Sequence, residues 1–184
     1  MTTDTGTDDP AAAQTDTGGR RHRVSIQPKS VENPLWGRVV AVHTGPPRTI
    51  SWRGREVTTG IFKEEVAGRV CATGTNLCGD GQADLVNHGG TNKAVNAYPR
   101  EHYPYWRSQL GAMPEGTGVF GENLTVCGID EKHVHVGDLL QIGTVLLRAT
   151  ESRYPCFKVG IRLGDDSIVD RFVHANRASF YGRR

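Results

Sequence analysis

Three apolar, β-branched segments follow one another closely between residues 122 and 152, and they constrain the fold more than any other feature of the chain. They read ENLTVCGI, KHVHVGDLLQIG and TVLLRATES, with glycine at the breaks between them. Short strands at such close spacing, separated by turn residues, are typical of an all-β barrel or sandwich. We therefore expect a mainly β fold.

Earlier segments add further strands. WGRVVAVHTG, which begins at Trp36, predicts a strand that ends in a turn, and REVTTGIF, which begins at Arg55, predicts another. Between them, Arg53-Gly54 is the expected turn of a hairpin. The β pattern thus extends over most of the chain.

Helical patterns are fewer and indicate peripheral helices. In YPREHYPYWRSQL a helix is compatible with Pro104 only if this proline lies in the first turn, where no backbone hydrogen bond is lost. A second helix is predicted in DDSIVDRFVHANRA, where four apolar residues share one face. These are Ile168, Val169, Phe172 and Val173.

The first 33 residues differ from the rest in composition. They are rich in Thr, Asp, Ala and Gly and have almost no large apolar side chains, so folding them would not offset their loss of conformational entropy. We predict a disordered tail over residues 1–33 and one domain over residues 34–184. Within the tail, RRHR is interpreted as a solvated charge cluster.

Charge and cysteine content exclude several classes of protein. The net charge is +2, and its basic residues are scattered, which is unlike a nucleic-acid-binding protein. Apolar runs are far shorter than the roughly 18 residues that span a bilayer. The four cysteines form no CxxC pair that would suggest structural zinc. We expect a cytoplasmic protein with reduced thiols, no nucleic-acid partner and no membrane contact.

RYPCFKVG contains the most informative cysteine. The alternation of apolar residues from Phe157 onward fits a strand, whereas Pro155 in a first turn with Cys156 behind it fits the start of a helix. In the helical arrangement the helix dipole, Arg153 and Lys158 would favour the thiolate form of Cys156. A buried structural cysteine is the alternative.

Two polar segments could contribute to a ligand site near such a thiolate. NHGGTNKA offers His88, Asn92 and Lys93 as donors to an anion, and its glycines allow close approach to the backbone. In GVFGENLTV, Glu122 and Asn123 stand at the mouth of a strand, where they could orient a ligand or cap a turn. Each segment alone is equally consistent with polar turn residues.

His133 and His135 have the i, i+2 spacing of a metal pair on one strand face. No third ligand is obvious beside them. A solvated strand face is the better interpretation.

Taken together and in this order, GDGQADLVNHGG, NKAVNAYPREHYPYW, FGENLTV, VGDLLQIG and YPCFKVGIRLG resemble the MOSC family, named for the carboxy-terminal domain of molybdenum cofactor sulfurases. The resemblance covers about residues 36–184 and is strongest to its compact YiiM-like branch. It implies a small β-barrel with peripheral helices. Cys71 and Cys78 depart from the family pattern.

The resemblance also implies a chemistry. Cys156 matches the family cysteine that ligates molybdenum or carries sulfur, and YiiM-like proteins are associated with the reduction of N-hydroxylated compounds through a pterin-bound molybdenum. On this basis we expect Cys156 to be a metal ligand. Cationic and amide side chains would bind the cofactor: Arg153, Lys158, Lys93, Asn92 and Asn123.

His88 and Glu122 are expected beside Cys156 as catalytic groups that position the substrate or move protons. The substrate would be a small molecule, and electrons would come from a separate redox partner, because the chain has neither a Rossmann fingerprint nor an iron–sulfur cysteine cluster. The oligomeric state stays open, with a homodimer among the options.

Two alternatives remain. In the first, Cys156 holds a persulfide received from a cysteine desulfurase and passes the sulfur on without a metal. In the second, the barrel is a non-catalytic binding module. A recombinant protein could also lack the cofactor.

Overall fold

Ten strands and three α-helices make up the part of the chain that the computed structural model describes, residues 23–27 and 35–184. The strands are β1 (Arg23–Gln27), β2 (Leu35–Thr44), β3 (Arg48–Trp52), β4 (Arg55–Thr59), β5 (Glu64–Glu65), β6 (Val95–Pro99), β7 (Leu124–Cys127), β8 (Leu139–Ile142), β9 (Val145–Arg153) and β10 (Ser179–Arg183). The helices are α1 (Tyr103–Leu110), α2 (Phe157–Leu163) and α3 (Ile168–Ala175).

Seven strands close into a barrel in the order β1-β8-β9-β10-β6-β7-β2, with β2 paired back to β1. Neighbouring strands of this barrel are antiparallel except β6 and β7, which are parallel. Closure leaves these strands without a free edge. The prediction of a mainly β, barrel-type fold with peripheral helices is confirmed.

A separate hairpin is formed by β3 and β4. Its turn residues Arg53 and Gly54 both have positive φ, 51° and 73°, which is the backbone that two-residue hairpin turns require. The predicted hairpin turn is therefore confirmed.

Alternation along β6 separates the barrel interior from its outer face. Val95 and Ala97 belong to the interior apolar cluster, which also contains Leu124 and Phe180. Tyr98, on the opposite face of the strand, belongs to a second cluster with the helices. Asn96 lies on the same face as Tyr98, two residues earlier, and so points away from the barrel interior.

The helices pack on that outer face through aromatic side chains. Trp106 of α1 stacks on Phe172 of α3, with ring centroids 4.1 Å apart, and its Nε1 donates to the Tyr98 hydroxyl at 2.6 Å. Pro104 is in the first turn of α1, as predicted. Ile168 and Phe172 are buried, so the predicted α3 is confirmed.

One residue of that predicted apolar face lies at its solvent edge. Val173 is 48% exposed, because it lies five positions after Ile168 and therefore about 140° around the helix. The buried part of the face is narrower than the apolar pattern.

The predicted amino-terminal tail is wrong for residues 23–27, which form β1 between β2 and β8. Val24 is fully buried in the barrel interior. The segment of residues 23–27 thus forms a strand because Val24 is buried and because the backbone pairs with β2 and β8. The remaining residues of the predicted tail, 1–22 and 28–33, lie outside the described residues, and so does RRHR apart from Arg23.

The histidine pair does not lie on a strand. Glu131–His133 is a 3₁₀ turn in which the side chain of Asp130 caps the N–H of Lys132, and β8 begins only at Leu139. The side chains of His133 and His135 are 63% and 72% exposed, so they are solvated as expected. Within the described ranges, no group of three or more His, Cys, Asp or Glu side chains is arranged to hold a metal ion.

The expectation of four reduced thiols is also wrong. Cys71 and Cys78 form a disulfide, because the bridge between Ala72 and Leu77 brings the flanking cysteines opposite each other with their Cα atoms 5.4 Å apart. Cys127 and Cys156 are free. Across the described ranges, no helix has the length and apolar character needed to cross a bilayer.

Candidate functional site

A cleft opens on the outer face of the barrel, beside the faces of β6 and β10 that point away from the interior. Loops preceding β6, the segment before β7 and the connection from β9 to α2 complete its walls. Six of the predicted site residues line it: His88, Lys93, Asn123, Arg153, Cys156 and Lys158. The structure thus brings together residues that are up to 70 positions apart.

Cys156 is placed by the turn between β9 and α2. It is the N-cap residue of α2, with extended backbone angles of −132° and 167°, and the helix begins at Phe157. Pro155 therefore precedes the N-cap instead of occupying the first turn as predicted. The strand alternative for this segment is wrong, and the helical one is confirmed two residues later than expected.

Cys156 interacts with His88, and His88 in turn interacts with Asp84. Asp84 Oδ2 lies 2.9 Å from Nδ1 of His88, which leaves the other ring nitrogen free to face the sulfur. Although burial of Cys156 opposes ionisation, the hydrogen bond from His88 and the charge of Arg153 lower the pKa of the thiol below its usual value. The same hydrogen bond raises the pKa of His88. Both shifts favour a thiolate–imidazolium pair.

Asp84 anchors this pair from a short turn. Its carboxylate accepts the backbone N–H of Asn87 at 3.0 Å, and this bond, with that from His88, holds the pKa of Asp84 well below its usual range. Lys158, which is buried, places Nζ 3.3 Å from Asp84 Oδ2. Asp84 was not singled out from the sequence, although its position four residues before His88 could have indicated a partner.

The opposite wall contains a buried ion pair that the sequence did not reveal. Lys63 Nζ contacts Asp80 Oδ1, and the Lys63 side chain is 8% exposed. Burial lowers the pKa of Lys63, while Asp80 acts against that shift. Asp80 also accepts from Nδ2 of Asn123 at 2.7 Å. Asn123 is therefore a wall residue held by a carboxylate.

Two predicted site residues lie elsewhere. Glu122 is fully buried outside the cleft lining, where its carboxylate accepts from the Tyr103 hydroxyl, the Thr125 hydroxyl at 2.9 Å and the Gly118 N–H at 2.9 Å. All of its surroundings are structural, so its predicted place beside Cys156 is wrong. Asn92 is exposed and also outside the lining, with Oδ1 accepting from Arg183 at 3.1 Å.

Positive charge is in excess in the cleft. Four cationic side chains line it, together with two carboxylates, so two positive charges remain before His88 and Cys156 are counted. The cations are Lys63, Lys93, Arg153 and Lys158, and the carboxylates are Asp80 and Asp84. Such a cleft favours an anionic ligand near the sulfur.

Two of these cations are already oriented by backbone carbonyls. Nζ of Lys93 donates to the carbonyl of Asn87 at 2.6 Å, and a guanidinium nitrogen of Arg153 donates to the carbonyl of Phe120 at 2.7 Å. Because a carbonyl does not neutralise a cation, Arg153 keeps its charge available to a ligand. Lys93 also lies near a carboxylate, with Nζ 3.9 Å from Oε2 of Glu151, so its charge is partly balanced.

Several known proteins are similar to this chain in sequence and in fold. The family model described as MOSC domain matches residues 84–183. The chain is 39% identical to protein YflK of Bacillus subtilis (strain 168) over 79% of this chain and 65% of that protein. It is 35% identical to a protein named reductase from Gibberella moniliformis over 69% of this chain but only 23% of that protein. The chain thus spans less than two thirds of either relative.

Among solved structures, the fold matches YiiM from Geobacillus stearothermophilus with a TM-score of 0.62 and 32% identity, over 80% of this chain and 67% of that one. The family match contains His88, Arg153, Cys156 and Lys158 of the cleft. It covers more than half of the chain. This protein therefore belongs to the MOSC domain family and resembles its YiiM members.

Proposed function

We propose that the cleft binds a molybdenum cofactor and that the protein reduces N-hydroxylated compounds, with Cys156 as the metal ligand. The observation that carries this proposal is the position of Cys156, whose pKa is lowered by His88 and Arg153, in a cleft with excess positive charge. A thiolate is a soft anionic ligand of the kind that such a metal takes from proteins. Membership of the MOSC family adds support.

The residues of the cleft fit a phosphorylated, anionic cofactor. Lys93, Arg153 and Lys158 provide charged donors for a phosphate, and charge-assisted hydrogen bonds of this type are the strong ones. Lys63, although paired with Asp80, adds a fourth cation on the opposite wall. These four side chains would hold the cofactor, and Cys156 would ligate its metal.

Reduction of an N-hydroxylated compound breaks one N–O bond, consumes two electrons and two protons, and releases one water. When bound, the cofactor supplies the two-electron chemistry, and a separate reduced electron-carrier protein replenishes the electrons. His88 is suited to hold one of the protons, because Asp84 fixes Nδ1 and the hydrogen bond to Cys156 raises the pKa of the ring. Asp84 thus orients the imidazole.

The test is to purify the protein from a host that makes the cofactor, then to measure molybdenum, pterin and the reduction of benzamidoxime by dithionite-reduced methyl viologen. Wild-type protein should carry molybdenum and reduce benzamidoxime. Cys156→Ser should lose both, whereas Cys127→Ser, which removes the other free thiol, should keep both. Wild type without molybdenum, or a fully active Cys156→Ser variant, contradicts the proposal.

Sulfur transfer is the second candidate, favoured by the exposed aromatic residues around the cysteine. Tyr154 is 74% exposed and Phe157 is 53% exposed, so a protein donor could reach Cys156 between them. After incubation with a cysteine desulfurase and cysteine, this candidate predicts one added sulfur atom on Cys156 in mass spectra. An unmodified Cys156 contradicts it.

A further inference from the structure

Asn96 lines the cleft from the second position of β6. It pairs with Tyr181 of β10, which also lines the cleft, and directly opposed residues have neighbouring side chains. Tyr181 in turn interacts electrostatically with Cys156 and Arg153. Asn96, Tyr181 and Cys156 therefore line one cleft, in which the proposed chemistry occurs.

The backbone of Asn96 is fixed while its side chain lacks partners. Its N–H donates to Oδ1 of Asn123 at 3.0 Å, and its carbonyl accepts from the N–H of Asn123 at 2.8 Å. By contrast, neither Nδ2 nor Oδ1 of Asn96 has a hydrogen-bond partner, although the residue is only 3% exposed. A buried amide in this state lowers stability unless a ligand satisfies it.

Other polar side chains of the cleft do not share this property. Asn123, Asp80 and Gln82 each have protein partners. Among the described residues of the cleft lining, two buried polar side-chain atoms have no hydrogen-bond partner. Both belong to Asn96 and are its Nδ2 and Oδ1. The unsatisfied amide is thus specific to one residue of the cleft lining.

We propose that Asn96 determines substrate specificity by binding a donor and an acceptor that are attached to one carbon of the ligand, as in an amidoxime. A carboxamide presents one donor group and one acceptor on the same carbon, so the matching ligand has an acceptor and a donor attached to one carbon. An amidoxime has an amino group and an oxime on one carbon, whereas an N-oxide offers only an acceptor. This inference rests on the proposed function, which it narrows to one class of N-hydroxylated substrate.

A matched pair of ligands tests the inference. Benzamidoxime and acetophenone oxime differ only in an amino group, which is replaced by a methyl group in the second compound. A site built to pair both groups discriminates against the analogue that leaves one of them unpaired. Wild-type holoprotein should bind benzamidoxime about 10-fold more tightly than acetophenone oxime, the ratio expected for one hydrogen bond.

Asn96→Leu should bind the two compounds within about 2-fold of each other, because its side chain forms no hydrogen bonds. Asn96→Ala, which is smaller and cannot clash, should lose the ratio in the same way. Asn92→Leu is the control, since Asn92 is exposed outside the cleft, and it should keep the wild-type ratio. Calorimetry gives the ratio without any need for turnover.

The second readout is the urea midpoint of the protein without ligand. Asn96→Leu should unfold at the same or a higher urea concentration than wild type, because it removes an unsatisfied buried amide. An Asn96→Leu or Asn96→Ala protein that keeps the 10-fold preference, or an Asn96→Leu protein with a clearly lowered midpoint, overturns the inference.

These measurements separate the inference from the proposed function. Selective binding of benzamidoxime without its reduction supports the role of Asn96 and contradicts the reductase activity. Reduction of both compounds with equal KM supports the reductase and overturns the role of Asn96.

Discussion

The proposed chemistry of the cleft depends on the ionisation of one sulfur atom, that of Cys156. His88 and Arg153 lower its pKa despite burial, so the thiolate is present at lower pH than for an ordinary cysteine. Only the thiolate reacts with alkylating reagents. Reactivity should therefore be lost as pH falls through this lowered pKa, and the midpoint should move upward when His88 no longer donates.

The prediction is a higher midpoint for alkylation of Cys156 by iodoacetamide in His88→Gln than in wild type. Rates are measured against pH in a Cys127→Ser background without reductant, because Cys156 is then the single free thiol of the chain. Lys132→Gln, an exposed change away from the cleft, should leave the midpoint where it is. Equal midpoints in wild type and His88→Gln would mean that His88 does not stabilise the thiolate.

Glu122 offers a second prediction for a single residue. Its carboxylate accepts four hydrogen bonds inside the protein, from Tyr103, Thr125 and the N–H groups of Gly118 and Phe120. In Glu122→Gln an amide donor faces these donors, and we expect a loss of about 3 kcal/mol in the free energy of unfolding.

Urea denaturation checks this loss, with Glu115→Gln as control, since the Glu115 side chain is 94% exposed. A Glu122→Gln protein as stable as wild type, but inactive, would restore the catalytic role first expected for Glu122.

Single-residue patterns located part of the site and missed the rest for physical reasons. Cys156, His88 and Lys158 were found because proline, glycine and charge surround them in the sequence. Asn96 was hidden inside a buried strand, where it differs from its apolar neighbours only in pointing to the other face. Lys63 and Asp80 pair across 17 positions, and such a pairing has no local signal.

At the level of helices, α3 depends on the contact of Phe172 with Trp106. We predict that Phe172→Ala lowers the free energy of unfolding by about 3 kcal/mol, because it leaves a cavity in the aromatic cluster. Val173→Ala, the adjacent and exposed position, should cost less than about 1 kcal/mol. Urea denaturation of both variants measures these losses of unfolding free energy. Equal losses would mean that the buried face of α3 is wrongly assigned.

Strand patterns predicted strands correctly where β-branched residues follow one another without interruption. They failed where a side-chain cap stabilises a turn instead of a strand. The segment from Trp36 was recognised and is β2. His133 and His135 alternate with valines like a strand, yet Asp130 caps a 3₁₀ turn there and delays β8. Side-chain capping of backbone N–H groups is a short-range competitor that periodicity does not detect.

Closure of the barrel explains why the cleft lies outside it. The interior is filled by apolar side chains of all seven strands, so polar residues such as Asn96 and Tyr181 can gather only on the outer face. β1 completes this closure by pairing with both β2 and β8, although its segment has a polar composition. The cleft therefore depends indirectly on a strand that sequence composition assigned to a disordered tail.

This dependence gives a prediction for the whole molecule. Val24 of β1 is fully buried between β2 and β8, so Val24→Asp would place an unpaired carboxylate in the apolar interior. We expect a loss of at least about 3 kcal/mol in unfolding free energy, with weaker binding of any cleft ligand. Ser25→Asp, on the other face of the same strand and partly exposed, should cost less than about 1 kcal/mol. Circular dichroism during urea unfolding measures the loss of unfolding free energy in each variant. A stable Val24→Asp protein would show that the barrel closes without β1.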